Sequence, residues 1–193
     1  FVETVDLKEN EIILDVGSGS GDIASEILKE NLSTSLYLLD LNEEMLLEGR
    51  KRLRKEKNIK YFIGNAEKLN FENNFFDKYT ISFCLRNVTE YLLSIKEAYR
   101  VLKPGGKYCC LEFSTPKSSL VSSSYKIYKS KILPLLGEIV AKDKNAYKYL
   151  SESIDLFPSQ EELSKNLRDC GFTKVKTINL FNGIVAIHTG YKL

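Results

Sequence analysis

The segment Asp15-Val16-Gly17-Ser18-Gly19-Ser20-Gly21-Asp22 constrains the fold more than any other part of the chain; it is entered from the apolar run Ile12–Leu14 and followed by a helix-compatible stretch. Three glycines at alternate positions allow the backbone positive φ and let another group approach it with no Cβ between. A strand that runs into such a turn and then into a helix is the opening unit of a nucleotide-binding α/β sheet. The acids at either end narrow the ligand. A dinucleotide fingerprint asks for a third glycine three positions after Gly19, where this chain has Asp22, an anion that would repel a pyrophosphate. Asp15, just before the turn, suits a ligand that carries an ammonium group. Tight strand-to-helix turns that hold no ligand use the same glycine spacing, so the loop alone leaves both readings open.

Two further strand ends carry polar signals. Leu36–Leu39 reads as a short buried strand and ends at Asp40, roughly twenty residues after the loop, where a carboxylate can accept from both hydroxyls of an adenosine ribose. Asp40 also stands three residues before Glu43 in the form of a capping box, and Asn42 is a second candidate cap, so a helix start competes with the ribose reading. Ile59–Ile63 reads as another strand and runs into Gly64-Asn65-Ala66-Glu67, whose small residues can line an adenine. Ligands of doubly wound sheets sit at the carboxyl ends of the strands, and three successive ends of this kind favour a ligand site over packing alone.

The beta-alpha alternation continues along the chain. Strands are expected near 12–16, 36–40, 59–63, 78–84, 107–113, 173–180 and 184–192, and helices over 22–30, 43–56, 90–102 and 159–170. The last helix is entered at Pro158-Ser159-Gln160-Glu161 and stopped by Gly171. The expected fold class is α/β, an open and mostly parallel sheet. Little more than Asn182-Gly183 joins the last two strands, a hairpin signal that makes the final strand antiparallel. Lys103-Pro104-Gly105-Gly106 reads as the turn between a helix and the fifth strand.

With 193 residues, 43% of them hydrophobic, residues 1–193 can bury a core as one domain. A net charge of +2 with scattered lysines offers no basic face, so no nucleic acid is expected as a partner. Cys84, Cys109, Cys110 and Cys170 have neither metal-ligand nor redox spacing; reduced core thiols and no metal are expected. The best apolar run, Ile132–Ala141, is interrupted by Pro134, Gly137 and Glu138 and falls short of the roughly twenty residues of a membrane span. Because Phe1 opens in mid-sequence, an N-terminal segment is expected to be missing. The segment from about 114 to 157 is longer than a simple crossover and carries Tyr125, Tyr128, Leu133, Leu136, Ile139, Tyr147 and Tyr149 among several lysines. It is expected to be a helical insertion after the fifth strand, a lid over an apolar substrate that lies against anionic lipid. A pair of ordinary helices with solvated lysines accounts for the same pattern.

The acid and glycine loop resemble motif one of the class I S-adenosylmethionine (SAM) methyltransferases. Phe83-Cys84-Leu85-Arg86-Asn87-Val88-Thr89, Tyr99-Arg100-Val101-Leu102-Lys103-Pro104-Gly105-Gly106, Leu111-Glu112-Phe113-Ser114, Tyr149-Leu150-Ser151-Glu152-Ser153-Ile154 and Gly183-Ile184-Val185-Ala186-Ile187-His188 together resemble the ubiquinone/menaquinone biosynthesis C-methyltransferase family over essentially the whole chain. The resemblance implies a Rossmann-like class I methyltransferase fold with a seven-stranded sheet, and SAM-dependent methylation of a ring carbon on a polyprenylated benzoquinol. The ending Gly183–Leu193 and the stretch Glu152–Pro158 are most similar to the mitochondrial and alpha-proteobacterial ubiquinone branch, whose acceptor is a 2-methoxy-6-polyprenyl-1,4-benzoquinol. That implies a peripheral protein on the matrix face of the mitochondrial inner membrane, with the bacterial cytoplasm as the alternative. A quinone-biosynthesis complex and a homodimer are further implied partners. Carried over by position, the family's cofactor contacts fall on Ser20, Asp40, Asn65, Ala66 and Ser82, beside Asp15, Gly17 and Gly19 from the loop.

A sulfonium methyl is already activated, so its transfer is mostly a matter of aiming a nucleophilic carbon at it. A cation near a developing phenolate would make the quinol carbon more electron-rich, and Arg86 is the expected group for this or for a water-mediated relay. Asn87 beside it can hydrogen-bond a quinol or methoxy oxygen, or merely cap the next helix. The ring must then lose a proton, to His188, Tyr149, Glu112 or water, although a lone histidine in an apolar strand is also an ordinary core residue. Two other classes compete: a nicotinamide-dependent oxidoreductase, opposed by Asp22 and the terminal hairpin, and a non-catalytic member of a quinone-biosynthesis complex, opposed by the intact Leu85-Arg86-Asn87. Menaquinone-branch methylation of a demethylmenaquinol is the alternative within the methyltransferases.

Overall fold

A computed structural model describes residues 1–30, 33–114 and 144–193, with side chains in the last stretch from 149 onward. In chain order the elements are α1 (Val2–Val5), β1 (Ile12–Val16), α2 (Asp22–Leu28), β2 (Ser35–Asp40), α3 (Glu43–Arg52), β3 (Ile59–Ile63) and β4 (Phe76–Ser82). A 3-10 turn (Leu85–Asn87), α4 (Tyr91–Val101), β5 (Leu102–Phe113), α5 (Lys144–Leu156), α6 (Gln160–Asp169), β6 (Thr173–Leu180), a second 3-10 turn (Phe181–Gly183) and β7 (Val185–Tyr191) follow.

The strands form a seven-stranded sheet in the order β3-β2-β1-β4-β5-β7-β6. Strands β1 to β5 pair in parallel, and β7 lies antiparallel to both β5 and β6. This is the expected mostly parallel sheet with an antiparallel last strand. The final hairpin closes because Phe181 and Asn182 take φ of 48° and 56° in the short connection. Strand order reverses between β1 and β4, which opens a crevice at their carboxyl ends.

Helices cover both faces, which is why β1 and β2 read as continuous rather than alternating apolar runs. On one face Leu14, Tyr37, Tyr79, Ile81 and Tyr108 pack with Ile95, Ala98, Leu163 and Leu167 of α4 and α6. On the other, Ile13, Leu36 and Leu38 meet Ala24, Ile27 and Leu46 of α2 and α3. Each buried Leu or Ile among them contributes roughly 1.5–3 kcal/mol by leaving water. A third cluster joins Leu111, Phe113, Val185 and Ile187 to Ile154 of α5. Cys109 and Cys110 are both fully buried on opposite faces of β5, and all four cysteines are free thiols.

Local chemistry sets the ends of the elements. Asn42, not Asp40, caps α3, accepting from Met45 N at 3.2 Å, so the capping-box reading of Asp40 fails. Ser159 caps α6 and Gly171 ends it at φ 103°, as expected. The Lys103–Gly106 turn is instead absorbed into β5 as an irregularity between the pairs Phe76↔Leu102 and Lys78↔Lys107. Its backbone is held by β7's tail: Gly105 N donates to Lys192 O at 2.6 Å, and Lys192 N donates to Gly106 O at 3.0 Å. Strand β4 ends at Ser82, two residues earlier than expected, and this releases Phe83 and Cys84 from the sheet. Of the expected insertion, residues 115–143 lie outside the described residues. Among the described residues, no helix is long and apolar enough to cross a membrane.

Candidate active site

A cavity of about 350 Å³ opens at the carboxyl ends of β1 to β4, within the size range of small-molecule sites. Gly17, Asp40, Leu41, Asn65, Ala66, Glu67, Phe83, Cys84, Asn87 and Thr89 are among the residues that line it. Gly17 has no room for a side chain: its φ is 65° and a Cβ would stand 2.2 Å from Cys84 Sγ. The amides of Gly17 and Ser18 both donate to Leu39 O, at 2.8 and 3.1 Å. Asp40 completes the tie. Its Oδ2 accepts from Gly19 N and its Oδ1 from Asn42 N, each at 2.8 Å. A carboxylate oxygen has two lone pairs, so each retains acceptor capacity toward a diol.

Asp15 lies beneath the loop rather than in the cavity wall. It is 1% exposed; Thr80 Oγ1 donates to its Oδ1 at 2.7 Å, and Oδ2 has no partner. Burial, reinforced by the charges of Asp40 and Asp22, pushes its carboxyl up to about 7. At the far side of the cavity Glu67 N donates to Asn65 Oδ1 at 2.9 Å, and Asn65 Nδ2 donates to Glu67 Oε2 at 3.1 Å. Glu67 Oε1 accepts from Glu90 N at 2.7 Å, the main reason its carboxyl titrates below the usual range. This fixes Asn65 and the small Ala66 at the end of β3.

Beyond β4 the wall is formed by Phe83, Cys84, Asn87, Val88 and Thr89, on either side of Leu85 and Arg86 in the 3-10 turn. Arg86, whose side chain is 10% exposed, pairs with Glu112 Oε1 at 2.8 Å and donates to Phe83 O at 2.5 Å. Its amide donates to Glu112 Oε2 at 3.3 Å, and its guanidinium lies 5.1 Å from the centre of the Phe113 ring. The expected free cation is therefore a buried, compensated one, outside the cavity lining. Asn87 does line the cavity, and Tyr149 Oη of α5 donates to its Oδ1 at 3.1 Å.

The structure thus brings Gly17, Asp40, Asn65, Ala66 and Asn87 to one cavity, with Gly19 bonded to Asp40. Ser20 lies outside the lining, its backbone close under Gly49 of α3, and Ser82 is paired with Leu111 at the end of β4. His188 is not among the residues that line the cavity: buried on β7, its Nε2 faces Gln160 O at 3.2 Å, and burial pulls its pKa down to about 4. It is the core residue that a lone histidine in an apolar strand usually is. Glu112 is occupied by Arg86 and by Phe113 N, which donates to it at 2.8 Å. Sequence reasoning missed Leu41, Phe83, Cys84, Val88 and Thr89 as lining residues. The signal for Leu41 was its place directly after the strand-end acid; Phe83 and Cys84 were hidden by the misplaced end of β4.

A model of the ubiE/COQ5 methyltransferase family matches residues 1–192. The chain belongs to the ubiE/COQ5 methyltransferase family. Its relatives include the ubiquinone/menaquinone biosynthesis C-methyltransferases UbiE of Rickettsia bellii and Rickettsia prowazekii, each 49% identical over 95% of this chain and 77% of the relative. Among solved structures, a SAM-dependent methyltransferase from Aquifex aeolicus has a TM-score of 0.71 at 18% identity, covering 100% of this chain and 87% of that one. Phosphoethanolamine N-methyltransferase 2 of Haemonchus contortus, in complex with S-adenosyl-L-methionine, has a TM-score of 0.73 at 19% identity, over 99% of this chain and 52% of that one. These two share the fold. The chain is a C-methyltransferase of class I architecture, and membership of the ubiE/COQ5 family implies SAM as its cofactor.

Proposed function

We propose that the chain methylates a ring carbon of a polyprenylated benzoquinol, a 2-methoxy-6-polyprenyl-1,4-benzoquinol, in ubiquinone biosynthesis. The observation that carries this reading is the placement of Asn87, at the end of the turn that Glu112 fixes, in the lining of the cavity that Asp40, Asn65 and Ala66 also line. Cofactor end and acceptor end then share one space.

The residues present fit SAM. Asp40 has free lone pairs for the ribose diol, Asn65 and Ala66 border the adenine, and Gly17 admits close approach of the methionyl part. Gly19, Ser20 and Ser82 support the loop and the end of β4 around it. The unpartnered Oδ2 of Asp15 supplies negative charge behind the loop once ionised. When bound, the cofactor supplies an electrophilic methyl group. The protein's own work is orientation and charge control. Asn87 hydrogen-bonds a quinol or methoxy oxygen. Arg86 holds the turn through Glu112 and Phe83 O, which makes it a positioning group with a muted cationic influence. For the ring proton, solvent water is the acceptor that the geometry favours over His188 and Glu112, and Tyr149, whose hydroxyl donates to Asn87 Oδ1, can relay that proton but not keep it.

A lipid-tailed substrate argues for contact with a membrane surface, and the expected helical insertion is the segment we assign to it. The matched Rickettsia relatives are bacterial, which favours the bacterial cytoplasm over the mitochondrial matrix face. A quinone-biosynthesis complex and a homodimer remain proposed partners. The names of the relatives also cover the menaquinone branch, so methylation of a demethylmenaquinol is the second reading. The deciding experiment supplies SAM with a methyl label and either quinol, and follows label in the extracted product. Transfer to the benzoquinol supports the first reading, transfer to the naphthoquinol alone replaces it, and transfer to neither, with cofactor bound, removes both.

A further inference from the structure

Phe83 is an anomaly that core packing does not explain. Its φ is 51°, a left-handed conformation in which a bulky side chain is a genuine outlier, and the residue is 38% exposed. Phe181 takes a similar φ of 48° in the final hairpin, so the conformation alone is not the signal; what sets Phe83 apart is its place in the cavity lining. There an aromatic ring is forced to project, and strain of this kind persists where the surroundings over-determine it, chiefly at functional sites. Here the surroundings do so from three sides. Phe83 N donates to Leu111 O at 2.8 Å, Phe83 O accepts from Arg86 Nη1 at 2.5 Å, and its ring packs on Phe113 with centroids 4.8 Å apart. Arg86 in turn lies over the other ring of that pair, 5.1 Å from the Phe113 centroid. Phe83 contributes the one aromatic ring among the described residues of the cavity lining.

Its position says what the ring faces. Along the sheet order β3-β2-β1-β4, the adenine, ribose and methionyl positions proposed above fall in sequence at the ends of β3, β2 and β1. Phe83 follows β4, beyond the methionyl end, beside Cys84 and on the same wall as Asn87. We propose that the Phe83 ring is the platform on which the aromatic ring of the methyl acceptor lies, making Phe83 a specificity-determining residue for planar, ring-shaped acceptors. The inference rests on the quinol reading above. An offset-stacked ring on this surface would be held flat with an edge oxygen in reach of Asn87, and rotation about the stacking axis would be restricted. The strained backbone keeps the ring projecting when no acceptor is present.

The test compares the full chain with Phe83→Tyr, Phe83→Leu and Phe83→Gly. S-adenosylhomocysteine affinity, binding of a short-tailed benzoquinone to the S-adenosylhomocysteine complex, thermal stability, and KM and kcat for the quinol are all measured. Phe83→Gly is expected to stay folded with a stability near the parent's, relieved strain offsetting the lost Phe113 contact, and to bind S-adenosylhomocysteine equally well. Its quinone affinity should fall and its quinol KM rise by about tenfold or more. Phe83→Tyr should restore both and Phe83→Leu neither. Unchanged quinone binding in Phe83→Gly overturns the proposal, and a parallel loss of S-adenosylhomocysteine affinity overturns it by making Phe83 a cofactor residue. Absence of turnover and quinone binding in the parent chain strikes the quinol reading itself, and the proposal falls with it.

Discussion

Asp15 is legible in the sequence as an acid before a glycine loop, but its state is a product of depth. Alone on β1 among apolar neighbours, with Thr80 as its hydrogen-bond partner, it is held protonated up to about pH 7. A carboxyl whose folded pKa is raised adds stability that is complete below its unfolded value near 3.8 and is lost as pH rises through about 7. Asp15→Asn removes this titration. From about pH 5 to about pH 8, the parent chain should lose roughly 2 kcal/mol relative to the variant in urea unfolding; parallel curves would contradict the burial assigned to Asp15. Gly17 carries a steric prediction. With Cys84 Sγ 2.2 Å from a Cβ at that position and φ at 65°, Gly17→Ala should destabilise by about 3 kcal/mol, seen as a drop in melting temperature of about 10 °C. Adding Cys84→Gly should recover much of it.

At the scale of elements, the turn after β4 and the end of β5 behave as one unit because Glu112 joins them. Its carboxylate, 1% exposed, accepts from the Arg86 guanidinium and from the amides of Arg86 and Phe113. Glu112→Gln keeps the shape but leaves a buried cation uncompensated, and removing one partner of such a pair costs about 3–5 kcal/mol. The double variant Glu112→Met with Arg86→Met should be considerably more stable than Glu112→Gln while remaining inactive. A stable and active Glu112→Gln would show that the turn is held by other contacts. The segments Leu85-Arg86-Asn87 and Leu111-Glu112-Phe113 stood out in the sequence separately; their pairing across 26 residues did not, since no local pattern encodes it.

For the molecule as a whole, the decisive quantity is how a ligand couples to folding. S-adenosylhomocysteine at about a hundred times its dissociation constant should stabilise the chain by roughly 2.7 kcal/mol, raising the melting temperature by about 5–10 °C. NAD should not. Asp40→Ala should abolish the response, because it removes the acceptor and also releases Gly19 N and Asn42 N from their shared anchor. An undiminished response in that variant would place the ribose elsewhere.

The alternation of apolar runs, the glycine turn and the strand-end acid determine the α/β sheet, the order of its local units and the strand ends at which the cavity opens, because these depend on spacings within about twenty residues. The hairpin at Asn182-Gly183 likewise settles the direction of β7. Contacts between distant segments settle the rest. The end of β4 depends on its register with β5, and that register exposes Phe83 and Cys84. The charge available from Arg86 depends on Glu112, and the protonation of Asp15 and His188 depends on burial. Each is a property of three-dimensional neighbourhood: chain spacing fixes which groups exist, and only packing fixes what they face and how much water they retain.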